Sequence, residues 1–450
     1  MVPSSGRTLA SSITATLRSH GHKAWLVGGC VRDELLGLKP KDYDVATSAS
    51  PQQILDYYPK AELIGAHFGV VLIRESGSQV EVATFRSEHG YRDGRHPDHV
   101  RFETDPRQDA LRRDFTINAL YRDPFTGEVL DFAGGQDDLK AGIIRAIGNP
   151  AARFEEDHLR LIRAIRFAAR FDYTIEPATF TAIQTCAHNI TAVSMERVRD
   201  ELLRILTEGH ARRGFELLDT SGLLVNLLPE IKAFQGVQQP PQFHPEGDVW
   251  THVLLMLEQL GPATPTLALG VLLHDVGKPR TFRIAERIRF DGHAEVGERM
   301  TKGILHRLRC SSEHIERAAS LVANHMRFKD AQRMKQSTLK RFLRTPHFEE
   351  HLELHRLDCM SSNRNLENYE FVRQVLAQTP PEELKPARLI TGDDLIALGL
   401  NPGPEFSRIL TAVEDAQLEG SIGTREEALA LARSLEVLSG RTLLPPRDRN

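Results

Sequence analysis

The hydrophobic pattern of this chain changes near residue 150, and that change limits the folds open to it. Up to about residue 145, strand-like runs such as "AWLVGG", "YDVAT", "GVVLIRE" and "VEVATFR" alternate with short helical runs. Beyond that point the chain reads as long amphipathic helices, the strongest being "EEDHLRLIRAIRFAARF" and "SMERVRDELLRILTEGHARRGFELLDTSGL". The pattern predicts an α+β fold, in which a small head with a sheet precedes an elongated all-α body.

Two further breaks divide the body. The stretch "QGVQQPPQFHPEG" is rich in Pro, Gly and Gln and is typical of a linker, and "AQTPPEELKP" interrupts the helical pattern again. We therefore expect four domains: a head at 1–148, a helical segment at 149–238, a histidine-rich helical domain at 239–375 and a helical C-terminal tail at 376–450.

Composition excludes several classes of protein. Of 450 residues, 40% are hydrophobic and 26% are charged, as in a globular protein, and the net charge of -4 means that any basic surface must be local. The four cysteines, Cys30, Cys186, Cys310 and Cys359, lie far apart without a C-x-x-C pair, which argues against a cysteine zinc site and fits a reducing compartment. Neither a signal peptide nor a membrane-length apolar run is visible, so the sequence predicts a cytoplasmic protein.

Two aspartates in "KDYDV" provide the first candidate site. Side chains alternate along a strand, so Asp42 and Asp44 point the same way and repel each other unless a cation lies between them. Carboxylates suit Mg²⁺, and a pair of such metals serves phosphoryl transfer. Glu81, on a later strand, is either a third carboxylate of this group or an ordinary exposed glutamate.

A glycine turn precedes these aspartates. Gly28 and Gly29 follow the strand "AWLV" and open the helix "VRDELLG", where backbone amides and the helix N-terminus favour a triphosphate. Arg32, in the first turn of that helix, is within reach of a phosphate. Each motif alone is common, but the two in strand–turn–helix–turn–strand order are specific.

Taken in order, "LVGGCVRDELLGLKPKDYDVAT", "LRRDFTINAL", "DFAGGQDDLKAGIIRAIG" and "EEDHLR" resemble the motifs of the class II tRNA nucleotidyltransferases, which comprise the CCA-adding enzymes and the bacterial poly(A) polymerases. The resemblance covers residues 25 to about 235. It implies a head with the fold of DNA polymerase β, in which Asp42 and Asp44 are catalytic and hold Mg²⁺.

The motif "RRDFTINAL" would contribute to nucleotide binding. Arg112 and Arg113 place positive charge where a ribose and triphosphate would lie, and Asn118, four residues after Asp114, could bond a sugar hydroxyl. From the residues alone, an ordinary helix start with Asp114 and Thr116 in capping roles is the better explanation of the motif, and it is the resemblance that favours the binding role.

The motif "EEDHLR" and the arginines after it form the second half of the expected nucleotide site. Arg160, Arg163, Arg166 and Arg170 fall on one stripe of the predicted helix, which by itself is typical of a solvated face. Cytosine and adenine both pair an amine donor with a ring-nitrogen acceptor, so an aspartate and an arginine complement both bases and disfavour uracil and guanine. In the family this motif selects the nucleotide. The resemblance therefore assigns selection to Asp157 and Arg160 and assigns contacts with triphosphate or primer to Arg163 and Arg166.

A polar stretch, "SEHGYRDGRHPDHVRFETDPRQDA", separates the last predicted strand from "RRDFTINAL" and is expected to be a long functional loop. In the family, a flexible loop at this position accompanies the switch from adding C to adding A. Its full length here favours complete CCA addition or A addition.

The histidine-rich domain holds a second set of ligands. An H…HD…D series, whose imidazoles and carboxylates suit Ni, Mn, Co, Fe or Zn, consists of His252, His274, Asp275 and Asp358. His293 and His325 lie between these residues as candidates for a second metal. The set resembles the HD phosphohydrolase superfamily, which implies metal binding and, in some bacterial CCA-adding enzymes, phosphatase, 2′-nucleotidase and 2′,3′-cyclic phosphodiesterase activity; Lys278 could contact a phosphate.

The resemblances imply template-independent addition of CCA to the 3′ end of tRNA from CTP and ATP, with tRNA, CTP and ATP as partners. An A-adding enzyme or poly(A) polymerase remains an alternative, as does an HD phosphohydrolase whose head only binds RNA. The choice of metal and the oligomeric state are not determined by the sequence.

Overall fold

A computed structural model describes residues 5–64, 69–91, 94 and 97–438. The strands are β1 (Ala24–Val27), β2 (Tyr43–Thr47), β3 (Glu62–Ile64), β4 (Val70–Glu75), β5 (Ser78–Thr84), β6 (Arg86–Tyr91), β7 (Pro97–Phe102), β8 (Leu120–Arg122), β9 (Val129–Asp131), β10 (Ile143–Ile144), β11 (Thr174–Ile175), β12 (Arg283–Ile284) and β13 (Ile288–Arg289).

The α-helices are α1 (Ser5–Ser19), α2 (Gly29–Leu35), α3 (Pro51–Tyr57), α4 (Pro106–Leu111), α5 (Gly135–Ala141), α6 (Pro150–Glu156), α7 (Leu159–Phe171), α8 (Pro177–Cys186), α9 (Met195–Thr207), α10 (Ala211–Thr220), α11 (Leu223–Leu227), α12 (Pro229–Lys232), α13 (Val249–Gln259), α14 (Pro265–Leu273), α15 (Lys278–Thr281), α16 (His293–Arg307), α17 (Ser312–Asn324), α18 (Gln336–Leu343), α19 (Phe348–Ser361), α20 (Glu367–Gln378), α21 (Pro381–Leu384), α22 (Gly392–Ala397), α23 (Pro404–Leu418) and α24 (Arg425–Leu438). Short 3-10 helices span Thr116–Asn118, Ala187–Ala192 and His325–Arg333.

The head is built on one sheet with the strand order β3-β4-β5-β2-β1-β8-β9 in the described residues. Its neighbouring strands are antiparallel except β2 and β5, which run parallel and place Asp44 opposite Glu81. The four strands expected from the sequence are all present, and Ser50 caps α3 through a capping box with Gln53, as expected from Ser50 and Pro51. The predicted α+β head is confirmed.

The polar stretch after β5 is not a loop, and that expectation was wrong. Strands β6 and β7 pair as an antiparallel hairpin, in which Arg86 lies opposite Phe102, and α4 follows with Asp105 as its N-cap. Cross-strand pairing satisfies the backbone of a segment whose composition alone suggested irregular structure. Residues 92, 93, 95 and 96 of this stretch lie outside the described residues.

The long helices expected after residue 150 are divided. The first is α6 and α7, because Asp157 leaves the helical conformation with φ -145° and ψ 104°. The second ends in α9 and resumes as α10 and α11, because Gly209 and His210 both have positive φ angles of 101° and 55°. Two continuous helices were therefore the wrong expectation, although the helical body itself is confirmed.

The stretch at 235–247 is not a bare linker, which corrects a third expectation. Gln238 bridges to Asp248 as an isolated β-bridge, and Gln239 is buried. A single hydrophobic cluster runs from α1 in the head through α7, α9 and α14 to α19, so the core is continuous across this stretch.

The C-terminal helices α22 to α24 have a small core of their own, centred on Leu395 and Val413. They join the body through α18, where Arg341 and Arg344 form ion pairs with Glu414 at 2.8 and 2.7 Å. In the part of the chain described, no helix has the length and apolar character needed to cross a bilayer.

Candidate active sites of the head and the helical body

The glycine turn lies between β1 and α2. Gly28 has a φ of 76°, and a Cβ atom there would lie 3.2 Å from Nη1 of Arg113, so glycine suits both the backbone and the space. The backbone amide of Gly28 donates to the carbonyl of Leu120 on β8 at 3.0 Å, which fixes the turn to the sheet. The turn is therefore rigid and lies against an arginine.

Asp42 lies immediately before β2 and Asp44 lies within it, next to Glu81 on β5. Burial of Asp44, together with the charges of Glu81 and Asp42, raises its pKa to about 6, although Arg113 opposes the shift. The raised pKa of Asp44 means that the negative charges of this group are not balanced by nearby positive ones. The donor set is oxygen only and fits Mg²⁺, and Glu81 belongs to this group electrostatically.

Arg32 is buried and held by polar groups on both sides. Its guanidinium donates to Oδ1 of Asp33 at 2.6 Å and to Oδ1 of Asn118 at 2.5 Å, and it lies over the ring of Phe171. The amide nitrogen of Asn118 donates to Asp114 at 3.0 Å. Each polar end of Asn118 thus has one partner, and the amide keeps a second N–H and a second lone pair that could bond a ribose hydroxyl.

Arg112 and Arg113 share Asp109, a buried acid of α4 that the sequence did not single out. Arg112 donates to Oδ1 of Asp109 at 2.6 Å, Arg113 to Oδ2 at 3.1 Å, and Tyr121 to the same Oδ2 at 2.6 Å. Burial alone would raise the pKa of Asp109, but the two arginines hold it well below its usual range. Arg112 also contacts Glu88 on β6 at 3.2 Å, which links the hairpin to this group.

The arginine stripe of α7 is confirmed as a stripe but does not face solvent. Arg163 donates to Oδ2 of Asp114 at 2.6 Å, and Arg166 donates to Glu201 of α9 at 2.5 Å. Arg170 donates to Asp33 at 3.1 Å. Acids distant in sequence therefore pair the stripe, and the solvated-face interpretation is wrong.

Asp157 and Arg160 are held separately, on the two sides of the break between α6 and α7. Arg197 of α9 donates to Oδ2 of Asp157 at 2.9 Å, and Leu159 donates its backbone amide to Oδ1 at 3.1 Å. Arg160 donates to Glu156 at 2.6 Å and to the carbonyl of Arg112 at 3.2 Å. Glu156 and Arg197 were not identified from the sequence as partners of this pair.

In the helical body, three histidines use Nδ1 to hold a backbone carbonyl oxygen: His274 on Val271 at 2.9 Å, His293 on Phe290 at 2.8 Å and His325 on Val322 at 2.7 Å. A ring that donates from Nδ1 keeps the lone pair of Nε2 for a metal, and this second bond is the usual support of a ligating histidine. The arrangement therefore prepares three Nε2 atoms as ligands.

The Nε2 atoms of these three histidines all lie close to the carboxylate of Asp275. Nε2 of His274 lies 3.1 Å from Oδ2 of Asp275, and Nε2 of His293 and His325 lie 3.7 and 3.8 Å from Oδ1. Within the described residues, three metal-sized groups have ligand atoms within 4.8 Å of one another: His252, His274 and Asp275; Asp275, His293 and His325; and His244, Glu246 and His252. All six sequence-predicted residues meet here, because Asp358 lies 3.2 Å from His252 Nε2.

The electrostatics of this centre also favour a cation. Burial of His252 favours the neutral ring, but Asp358 and Glu246 raise its pKa to about 9, so without a metal this ring carries a proton. Nε2 of His252 and of His274 are buried and lack a hydrogen bond of proper geometry in the part of the chain described. Nitrogen and carboxylate donors in this number fit a transition-metal divalent ion.

Three residues of the supposed linker complete the centre. Glu246 accepts from Nδ1 of His252 at 2.7 Å and from Nδ1 of His244 at 2.9 Å, and Gln239 accepts from Nζ of Lys278 at 2.6 Å. Lys278 also lies 2.7 Å from Asp275. The sequence feature that could have revealed these residues is the H-x-E spacing of His244 and Glu246, which lies just before His252 inside a Pro-rich stretch.

Three family models match the chain in the order of these features. The poly A polymerase head domain matches residues 24–145, the probable RNA and SrmB-binding site of polymerase A matches 172–235, and the HD domain matches 248–356. The first covers the glycine turn and the carboxylates, and the third covers His252 to His325.

Curated relatives and solved structures agree. A CCA-adding enzyme of Levilactobacillus brevis is 32% identical over 425 residues, covering 94% of this chain and 96% of the relative. That of Ligilactobacillus salivarius is 42% identical over 212 residues, 47% of this chain and 52% of the relative. Several relatives are thus matched over only about half of their own length.

The fold matches the Bacillus stearothermophilus CCA-adding enzyme in complex with CTP, with a TM-score of 0.75 at 24% identity over 97% of this chain and 99% of the other. The Thermotoga maritima CCA-adding enzyme complexed with tRNA gives a TM-score of 0.58 at 20% identity, with 95% of each chain covered. At these identities the structures establish the fold, and the full-length similarity to the Levilactobacillus relative establishes the family: this chain belongs to the CCA-adding enzymes.

Proposed function

We propose that this chain adds C and A nucleotides to the 3′ end of tRNA from CTP and ATP and releases pyrophosphate, without a nucleic-acid template. The observation on which the proposal rests is the group of Asp42, Asp44 and Glu81, in which burial and the neighbouring charges disfavour the ionised Asp44 and a bound cation would relieve this, close to the glycine turn beside Arg113. Membership of the family supplies the substrate class.

In this mechanism Asp42 and Asp44 hold Mg²⁺, which would acidify the terminal 3′-hydroxyl and neutralise charge on the departing pyrophosphate. The backbone at Gly28 and Gly29 receives the triphosphate, with Arg113 beside it. Arg32 and Arg112 are kept in position by Asp33, Asn118, Asp109 and Glu88, so the positive side of the site is formed before the nucleotide binds.

Asp157 and Arg160 select the base in this proposal. The carboxylate of Asp157 accepts from the exocyclic amine of C or A, and Arg160 donates to the neighbouring ring nitrogen. Arg163 and Arg166 add positive charge toward the triphosphate or primer. Arg197 and Glu156 then act as positioning residues, because each already holds one member of the selecting pair.

Replacing Arg197 with alanine should lower discrimination against UTP, because the charge-assisted bond that orients Asp157 is lost. Such a bond contributes about 1.5–3 kcal/mol, so the ratio of kcat/KM for CTP over UTP should fall about tenfold or more. Arg199→Ala is the matched control, since Arg199 lies on the same helix and pairs with Asp200. Unchanged discrimination in Arg197→Ala, with loss in Asp157→Ala, would remove Arg197 from the account.

Magnesium dependence should vary with pH. Since the pKa of Asp44 is raised to about 6, protons compete with Mg²⁺ below that pH, and metal binding must release a proton. The Mg²⁺ concentration for half-maximal addition should rise about tenfold per pH unit below about pH 6 and be level above about pH 7. Magnesium titrations across this range test it, and a level profile throughout would contradict the assignment. Glu81→Gln should shift the pH at which the required Mg²⁺ concentration begins to rise to a lower value, because the charge of Glu81 that raises the pKa of Asp44 is removed.

We further propose a second function, in which the HD centre is a metal-dependent phosphohydrolase site that binds Ni, Mn, Co, Fe or Zn. The HD centre consists of His252, His274, Asp275, His293, His325 and Asp358. The convergence of prepared Nε2 atoms on Asp275 supports this second function, and Lys278 lies where a phosphate would need a counter-charge. We also propose the corresponding division of the chain into a head at 1–148, a nucleotide-selecting segment at 149–238, an HD domain at 239–375 and a tail at 376–450; the family models, which match within the first three segments, are consistent with it.

The experiment for the main proposal uses a tRNA transcript that lacks CCA. CTP alone should extend it by C residues, ATP alone should not extend it, and the two together should restore the CCA end. Extension by ATP alone would instead identify an A-adding enzyme or a poly(A) polymerase.

A further inference from the structure

A small hairpin beside the HD centre has two chemically different faces. Strands β12 and β13 pair Arg283 with Arg289 and Ile284 with Ile288. Because side chains alternate along a strand, Phe282 and Phe290 extend the isoleucine face, and the arginines occupy the opposite face. The rings of Phe282 and Phe290 are 5.9 Å apart, which confirms that they share a face.

The apolar face of this hairpin begins at the metal centre. The carbonyl of Phe290 accepts from Nδ1 of His293 at 2.8 Å, and its ring lies 6.5 Å from the ring of His293 and 5.3 Å from Nζ of Lys278. Phe282 and Ile284, farther out, are 39% and 75% exposed. An aromatic surface therefore leads from solvent to a lysine that lies against the metal ligand Asp275.

The charge around this surface is positive. Residues 278–291 contain five basic and two acidic side chains. Arg283 pairs with Asp291 at 2.5 Å, whereas Arg287 is exposed and has no ion pair among the residues described, and Nε of Arg289 is buried without a hydrogen-bond partner there. A purely apolar partner has no use for these cations. A hairpin with an exposed aromatic face and with arginines on its other face and its turn suits a nucleic-acid strand, whose bases stack and whose phosphates need counter-charges.

We propose that the β12–β13 hairpin binds the terminal nucleotide of a single-stranded RNA end, with its base against Phe282 and Phe290, its terminal phosphate at the HD centre and the preceding phosphate near Arg287. This inference names a substrate class for the phosphohydrolase function proposed above. It rests on that function because the RNA end points toward the HD centre only if its terminal phosphate binds there. It makes Phe282 a determinant of specificity for nucleotides over simple phosphate esters.

The test uses the full chain and a short single-stranded RNA that ends in 4-thiouridine with a 3′-phosphorothioate, which resists hydrolysis. Irradiation should crosslink the terminal base within residues 282–290, located by mass spectrometry. Phe282→Ala should weaken binding of this crosslinkable complex about tenfold, since stacking of a base on one ring contributes a factor of about 5 to 150. Phe282→Trp should restore it, and Ile284→Ala, at the far end of the same face, should change it little.

Crosslinks confined to residues outside 282–290, or equal loss in Ile284→Ala and Phe282→Ala, would overturn the inference. Competition by CMP as efficient as by the RNA would also contradict it, because the site would then take a mononucleotide. Hydrolysis of p-nitrophenyl phosphate, which carries no base, is measured in parallel. If the unmodified protein does not hydrolyse this ester with any of the metals, the phosphohydrolase assignment fails, while the crosslink still shows whether the hairpin binds the RNA end. If Phe282→Ala hydrolyses the ester at the normal rate, the ring of Phe282 contributes to binding the base and not to the hydrolysis itself, as expected.

Discussion

Replacing Asp44 with asparagine is expected to reduce nucleotide addition about a thousandfold or more, because the isosteric amide cannot hold Mg²⁺ against the triphosphate. The same change should raise the free energy of unfolding of the metal-free protein by about 1–3 kcal/mol. The reason is that burial and the charge of Glu81 disfavour the ionised Asp44 in the fold, and this penalty is present at pH values above the ordinary pKa of aspartate. Single-turnover addition and thermal unfolding in EDTA at neutral pH measure the two effects.

Glu62→Gln is the control for this prediction, because Glu62 lies on the edge strand β3 and pairs only with exposed Arg74 in the residues described. It should change neither addition nor unfolding appreciably. An Asp44→Asn protein that still adds nucleotides within about tenfold of the normal rate would show that Asp44 does not hold the catalytic metal.

Replacing Asp275 with asparagine is expected to abolish transition-metal binding at the HD centre and leave nucleotide addition intact. Asp275 lies within reach of four histidine rings and Lys278, and it belongs to two of the three metal-sized groups, so its loss removes a ligand from both of those. The affinity for Mn²⁺ should fall at least about a hundredfold, measured by calorimetry on the metal-free protein. Any phosphohydrolase activity should disappear with it.

His306→Ala is the matched control, since His306 is exposed on the same helix, α16, that begins with His293. Mn²⁺ binding should be unchanged in that variant. If Asp275→Asn bound Mn²⁺ normally, the metal would have to lie elsewhere; if it lost nucleotide addition while unfolding at the normal temperature, the two centres would be coupled, contrary to the account.

The sequence predicted the parts of both sites that depend on local patterns. Period-two alternation predicted that Asp44 lies in a strand, Ser50 and Pro51 predicted α3, and the order of histidines and aspartates predicted the group of candidate ligands that meets in the helical body. Each of these signals acts over a few residues or uses residue types that rarely serve another purpose. The helix break at Asp157 was missed because no Gly or Pro marks it.

The partners of the charged residues could not be predicted, because they lie far away in the sequence. Asp109 holds Arg112 and Arg113, Glu201 holds Arg166, and Arg197 holds Asp157, across separations that only the tertiary fold closes. The stripe of α7 therefore looked solvated, although it is paired. Glu246 was missed because a Pro- and Gly-rich composition describes backbone freedom and does not reveal which side chains pack inward.

A crystal structure of this protein with CTP and Mg²⁺ would show most directly whether Asp42 and Asp44 hold the metal that acts on the triphosphate. We expect the triphosphate against the turn at Gly28 and Gly29, magnesium bound by the carboxylates of Asp42 and Asp44, and the cytosine edge facing Asp157 and Arg160. A triphosphate bound elsewhere, or a metal bound without either aspartate, would contradict this expectation.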